Sequence, residues 1–351
     1  MIAHNKLFFD RQDKNAVLEV LKKGYVAQGN EGELLEQELS FYTKIPYATL
    51  VNSGTTALYL SLYALNVSKG DEVILPTYVC SALLNAIIMI GAQPVLVDVN
   101  DEDFNINWKR VDVKLNPKTK AIIVPHIHGM PSLIPSGSYQ GVPIIEDCAT
   151  ALGSYVGNGK KHVGNIARIS VMSFYATKFC AMGYGGFVMT QDKQLDERIK
   201  NYREFDCVEE YEPRFNFQVS DLNSALGRSQ LGKVTQFLER RKYISKNYDE
   251  IFIQKGIQKQ TPLIDCEYNH YRYIIRIEKE RREQLSDYLL SKGVKTIVPI
   301  ESYELLHNYL KMSPEEFPNA EIIATTSLSL PIYPALTNTE LDRIIKAIKL
   351  F

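Results

Sequence analysis

An excess of either charge is nearly absent. The 40 Lys and Arg against 41 Asp and Glu leave a formal net charge of -1. No long-range field therefore draws the chain to nucleic acid or to an anionic membrane, and a phosphate-bearing ligand has to be held by a local site. Cysteine is scarce: Cys80, Cys148, Cys180, Cys207 and Cys266 are odd in number and show no Cys-x-x-Cys spacing. That argues against a disulfide framework or a structural zinc site, and for a reducing compartment. Apolar runs long enough to span a bilayer are missing, and the opening MIAHNKLFFDRQDKNAV has no signal-peptide core. The expectation is a cytoplasmic protein with no membrane span, no nucleic-acid partner and no metal.

A chain of 351 residues favours one large domain with a smaller one. Short apolar runs alternate with helix-like stretches from about residue 50 to 190: EVILP (72–76), PVLVDV (94–99), AIIVP (121–125), VPIIED (142–147), ISVMSF (169–174) and GFVMT (186–190). Several are continuous rather than alternating, the pattern of strands buried on both faces, so an α/β fold with a mostly parallel sheet is expected. A long charged helix is expected over LGKVTQFLERRKYISKNYDEIF (231–252), a strand in YNHYRYIIRIEK, a glycine-closed helix in RREQLSDYLLSKG, and a Thr- or Asn-capped terminal helix in LTNTELDRIIKAIKLF. The domain change is placed near residue 235, giving a large domain over 1–235 and a smaller α/β domain over 236–351.

Three stretches of the large domain carry candidate chemistry. In VNSGTTALYL (51–60) small residues and hydroxyls precede a helix-like run. Free N–H groups at a helix start, aided by Thr55 and Thr56, make a phosphate cradle, although the same residues suit a plain N-cap. In IIEDCATALG (144–153) Asp147 ends a buried strand, where α/β sheets place their ligands; a cap on the next helix is the better reading from this stretch alone. In SFYATKFCAMGYGG (173–186) Lys178 follows a strand end, with Ser173 and Thr177 as hydroxyl donors and glycines that let the backbone pass close to a ligand. A solvated surface lysine is the commoner outcome for such a residue. Their order matters more than any one of them. A phosphate-type helix start, a strand-end carboxylate and a strand-end lysine are the anchors that pyridoxal 5'-phosphate requires: for its phosphate, its ring nitrogen and its aldehyde.

With these motifs in order, the sequence resembles the DegT/DnrJ/EryC1/StrS family of pyridoxal-phosphate-dependent, fold-type I sugar aminotransferases. The likeness runs through SGTTAL (53–58), GDEVILPTYV (70–79), GAQPVLVDVN (91–100), EDCATALG (146–153), SFYATK (173–178), GYGG (183–186), FNFQVSDLNSALGRSQL (215–231) and SLPIYPALT (329–337). The resemblance implies that Lys178 forms the Schiff base and carries the proton, that Asp147 pairs with the pyridinium nitrogen, and that Gly54, Thr55, Thr56 and Ser173 receive the phosphate. It also implies that Ala149 packs on the ring and that Asn216 reaches the cofactor of a neighbouring subunit, hence a homodimer with shared sites. The implied substrates are an amino-acid donor, glutamate, and a nucleotide-linked keto sugar, as in glycan biosynthesis.

Some positions depart from the family pattern. Cys80 stands where an aromatic usually stacks on the ring, with Tyr78 a possible substitute by strand parity. Thr150 stands where glutamine or histidine is common and is expected to offer its shorter hydroxyl to the cofactor's ring oxygen, directly or through a water, and Tyr184 and Gln218 replace a usual glutamate and arginine. Related proteins that deoxygenate sugars carry histidine in place of the lysine, so Lys178 argues for transamination. A cofactor-binding sensor of the same fold without turnover is the alternative. His126 and His128 in PHIHG share one face if that stretch is extended, and are read as cleft lining or packing. His270 and Arg272 in YNHYRY fit either sugar contact or a surface strand.

Overall fold

A computed structural model of the chain describes residues 1–135, 137–157, 159, 161–206, 208–209 and 211–351. Cys207 lies outside the described residues. The central sheet is built from β1 (Tyr47–Val51), β2 (Glu72–Pro76), β3 (Gln93–Val97), β4 (Thr119–Pro125), β5 (Val142–Asp147), β6 (Ile169–Ser173) and β7 (Gly186–Thr190), in the spatial order β1-β7-β6-β5-β4-β2-β3. A two-residue strand, Ser138–Tyr139, pairs with the start of β5. Neighbours from β6 to β3 are parallel. β7 alone runs against the rest, antiparallel to both β6 and β1. A loop of twelve residues between β6 and β7 is too short for a helical crossover, so this pair turns back on itself.

The continuous apolar runs have their expected cause, because side chains of alternate parity enter separate cores on the two faces. Val171 and Val188 join one cluster with Leu58, Leu75 and Ile145, while Met172, Phe187 and Met189 join another with Leu35, Leu39 and Phe237. The flanking helices are α1 (Arg11–Lys23), α2 (Asn30–Thr43), α3 (Gly54–Ala64), α4 (Ala82–Met89), α5 (Trp108–Lys114), α6 (Lys193–Arg203) and α7 (Asp221–Leu231).

The single long helix expected over 231–252 is interrupted at its start. α7 stops at Leu231, and α8 (Val234–Gln254) begins three residues later. At the break, Lys233 is buried and its Nζ lies 2.7 Å from both Asp10 and Asp13, tying the junction to α1. Beyond α8, a three-stranded antiparallel sheet (Gln258–Lys259, Tyr273–Arg276, Ser327–Leu330) packs with helices Lys279–Ser291 and Asn338–Leu350 around Ile244, Tyr248, Ile275, Leu289 and Ile344. Ile2 enters this same cluster and bridges to Val294. The terminal helix has the expected cap: Thr337 takes the Glu340 N–H and the Glu340 carboxylate takes the Thr337 N–H. Among the described residues no helix is long and apolar enough to cross a membrane.

Candidate active site

The carboxyl ends of β1, β2, β5 and β6 lie along one edge of the sheet, the edge at which α/β sheets hold ligands. The segments that leave those ends enclose a cavity of about 340 Å³. Its wall includes Gly54 and Thr55 after β1, Cys80 after β2, Asp147 and Ala149 at the end of β5, and Ser173 and Lys178 at the end of β6.

One corner of the cavity is the start of α3. Ser53 caps the helix, its hydroxyl accepting the Thr56 N–H at 3.1 Å. Among the described residues the N–H groups of Gly54 and Thr55 and the hydroxyl of Thr55 make no hydrogen bond, so these donors face the cavity unspent. Ser173 completes the corner. A Cβ on Gly54 would stand 3.0 Å from its Cβ, and Ser173 Oγ only accepts, from the Tyr175 N–H at 3.4 Å, leaving its proton free. β7 presses on this corner from the other side. A Cβ at Gly186 would stand 2.4 Å from the Ser53 carbonyl group and 2.6 Å from the Gly54 nitrogen. The GYGG glycine at 186 therefore admits protein backbone, where the sequence suggested close approach to a ligand.

Asp147 ends β5 and is 6 % exposed. One oxygen accepts the Ala149 N–H at 2.9 Å, so it closes a turn, and no helix follows for it to cap. The other oxygen has no hydrogen-bond partner among the described residues. Burial pushes this carboxyl above its ordinary range, against the pull of the Ala149 N–H, Lys178 and His126. Lys178 sits in the tight turn after β6, its N–H donating to the Tyr175 carbonyl at 2.8 Å. Its amine reaches the cavity and has no salt-bridge partner among the described residues. Tyr175 and Tyr184, edge to face at 5.7 Å, flank the opening.

Beneath Asp147, Glu146 is fully buried and serves the scaffold. Its carboxylate accepts the N–H groups of Gly164 (2.5 Å), Ile166 (2.7 Å) and Ala167, and lies 3.1 Å from His126 Nε2. Ser132 N–H donates to His126 Nδ1 at 2.9 Å, which leaves the imidazole proton on Nε2, facing the acid. Burial raises the Glu146 pKa and these donors, His126 first, outweigh it, so the group is held below its ordinary value. The donor atoms of His126, Glu146 and Cys148 lie within 4.8 Å of one another, but the Glu146 oxygens are taken by N–H groups.

Several expected neighbours stand elsewhere. β4 ends at Pro125, so His126 and His128 do not share a strand face; His128 lies in a tight turn with φ 57° and packs against the edge of Tyr78. Tyr78 is wholly buried and does not substitute for the ring-stacking aromatic; Cys80 itself occupies that wall. The Thr150 hydroxyl is held by main chain, donating to the His126 carbonyl (3.0 Å) and accepting the Gly129 N–H (3.2 Å). Thr56 bonds back to Asn52 Oδ1 at 2.6 Å. Asn216 is exposed, and its side chain accepts the Gln218 N–H. Neither Thr56, Thr150 nor Asn216 reaches the cavity wall. Sequence reading missed Ser53, although it lies inside the quoted SGTT, and the apolar wall of Leu58, Ala82, Leu83 and Val171, whose residue types carry no chemical signal.

The residues present suit pyridoxal phosphate: unspent N–H donors at the start of α3, the amine of Lys178, and a buried carboxylate oxygen in want of a donor.

Comparison with known proteins agrees with that geometry. The model of the DegT/DnrJ/EryC1/StrS aminotransferase family matches residues 9–349. DesV of S. venezuelae, solved in complex with a ketimine intermediate, is 28% identical with a TM-score of 0.87, covering 96% of this chain and 93% of its own. PseC of Helicobacter pylori, an aminotransferase involved in the biosynthesis of pseudoaminic acid, is 27% identical with a TM-score of 0.87, covering 99% and 98%. The PLP form of Spr1654 from Streptococcus pneumoniae is 25% identical with a TM-score of 0.88, covering 98% and 96%.

Proposed function

The chain belongs to the DegT/DnrJ/EryC1/StrS aminotransferase family and is a pyridoxal-phosphate enzyme; from that premise we propose that it moves an amino group from glutamate to a nucleotide-linked keto sugar destined for a glycan. The observation that carries this reading is the convergence of the Lys178 amine, the free Asp147 oxygen and the unspent N–H groups of Gly54 and Thr55 on one cavity.

Pyridoxal phosphate, when bound, supplies an aldehyde that links to amines and a ring that delocalises the electrons of a broken C–H bond. Around it, the chain's own residues divide the work. The start of α3, with Thr55 and Ser173, holds the phosphate. Asp147, whose carboxyl burial pushes upward, would be held ionised by a protonated ring nitrogen beside it. Lys178 holds the aldehyde at rest. Freed by the donor's amine, its own amine would be the base that takes the proton from the donor α-carbon and the acid that returns one on the sugar side. Ala149 and Cys80 would bound the ring's position.

We take Asn216 to act on the neighbouring subunit of a homodimer. The support is its exposure beside Phe215 and Tyr211, 60% and 91% exposed, which are apolar surfaces awaiting a cover. The four described cysteines are all free, in keeping with a reducing, cytoplasmic setting. The testing experiment is spectroscopic. The purified protein should show the visible band of lysine-linked cofactor, glutamate should abolish it, and the right keto sugar should restore it. A band that no amino donor alters would favour the cofactor-binding sensor.

A further inference from the structure

A second, smaller cavity of about 240 Å³ is bounded by His4, Asn5, Thr177, Arg241, Tyr271 and Arg272 among others, Thr177 preceding the Lys178 of the first. It touches the site through the residue before Lys178, because the Tyr271 hydroxyl donates to the Thr177 carbonyl at 3.0 Å. The charge of this cavity is unusual for the chain. Elsewhere, the buried Arg203 and the half-buried Arg228 each pair with a carboxylate at 2.6 Å. Arg241 is 4% exposed, and among the described residues neither it nor Arg272 has a carboxylate within 4.0 Å. Arg241 Nη1 is anchored by the carbonyls of His270 (3.1 Å), Tyr271 (2.9 Å) and Ile332 (2.9 Å), yet its Nε is buried without a partner. The two guanidiniums lie 5.8 and 5.7 Å from the centre of the same Tyr271 ring.

An unpaired buried guanidinium nitrogen beside a second unpaired guanidinium is costly, and an anion arriving there relieves both. The forks of two arginines match a planar carboxylate. We propose that this cavity receives the carboxylate of the amino donor, and of the keto acid it becomes, with Arg272 as the principal ligand and Arg241 as its fixed support. The proposal rests on the aminotransferase reading and adds to it the half of the substrate pair that this wall selects. Electrostatics agree: burial, with Arg272 and Arg241 nearby, brings His4 down to about 3, so it is neutral at working pH and contributes no competing charge. His128 is held well below its ordinary value by burial, then by Arg272 and Lys178.

Arg272 is the residue to change, because its guanidinium holds no other part of the described fold, whereas Arg241 supports three carbonyls. The probe is glutarate, a dicarboxylate with no amine to react, measured by calorimetry on both cofactor-free and cofactor-loaded protein. Uridine diphosphate and thymidine diphosphate are run alongside as the other source of an anion. Expected for Arg272→Gln is an affinity for glutarate lower by about 10- to 100-fold, the scale of a lost hydrogen bond between charged groups. Nucleotide binding should be unchanged, the KM for glutamate should rise by a similar factor, and Arg272→Lys should recover part of the loss. Glutarate affinity within twofold of wild type, or a loss of nucleotide affinity in its place, overturns the carboxylate site and leaves the aminotransferase reading standing. Absence of the visible band in wild type overturns the aminotransferase reading, while a glutarate site lost in Arg272→Gln still upholds the carboxylate site.

Discussion

Gly186→Ala is the substitution whose cost is most directly worked from the structure. The new Cβ meets the Ser53 carbonyl group at 2.4 Å and the Gly54 nitrogen at 2.6 Å, where ordinary contact begins near 3.4 Å. All three atoms are backbone, so no side-chain rotation relieves the clash. The strand is also fixed, since Gly186 is paired with Ser173 on one side and Val51 on the other. The start of α3 must therefore retreat by about 1 Å, at the scale of overpacking, about 1–3 kcal/mol of stability. The retreat moves the Gly54 and Thr55 N–H groups, and losing a hydrogen bond to a charged phosphate should weaken cofactor binding about 10- to 100-fold. The assay pairs urea denaturation of the cofactor-free protein with a titration of pyridoxal phosphate. Gly54→Ala is a milder companion, because its new Cβ meets the Ser173 side chain at 3.0 Å. If Gly186→Ala keeps wild-type stability within about 0.5 kcal/mol and binds cofactor as tightly, the close approach of β7 to the helix start does not set the cradle.

Asp147→Asn should lose at least about 10² in turnover, the scale of a lost electrostatic contact in a dry site. It should nonetheless stabilise the cofactor-free protein. The native carboxyl holds its proton more tightly than an unfolded one, so its contribution is favourable below the unfolded pKa and lost as pH rises through the folded one; the melting advantage of the variant should grow as pH rises above the ordinary carboxylate range, and a shrinking one contradicts the assignment. Thr150→Val should cost about 1–3 kcal/mol through the lost bonds to residues 126 and 129 and leave cofactor affinity unchanged; weaker affinity at equal stability would show a direct contact. Cys80→Phe should tighten cofactor binding about 2- to 10-fold by adding a ring on the cavity wall, and unchanged affinity in the titration would mean that this wall does not face the ring.

Legibility in the sequence followed how local each cause is. The strands over 72–76, 142–147 and 186–190 were readable because burial on both faces leaves unbroken apolar runs. Lys178, Asp147, Ser173 and Gly54 were readable as strand-end or helix-start residues of chemically distinct types. Other features depend on partners distant in sequence. Tyr78 shares parity with Cys80, but the packing of Phe104 and His128 takes it into the core. Thr150 was read toward the cofactor, and the loop carbonyl of His126 claims its hydroxyl first. The break between α7 and α8 depends on Lys233 finding Asp10 and Asp13, more than 200 residues away. Glu146 looks like Asp147 in sequence, yet one step along the strand turns it away from the cavity and onto the 164–167 loop. The unpaired charge of Arg241 and Arg272 is visible only once the acids of the chain have found their other partners.

The central claim is that Lys178 holds the cofactor, and the visible spectrum of Lys178→Ala reconstituted with pyridoxal phosphate tests it most directly. The expected result is cofactor bound without the band of a lysine linkage, no reduction product on residue 178 after borohydride, and no half-reaction with glutamate at enzyme concentrations where wild type completes it. A wild-type band in the alanine variant, with borohydride fixing the cofactor to another lysine, would contradict it.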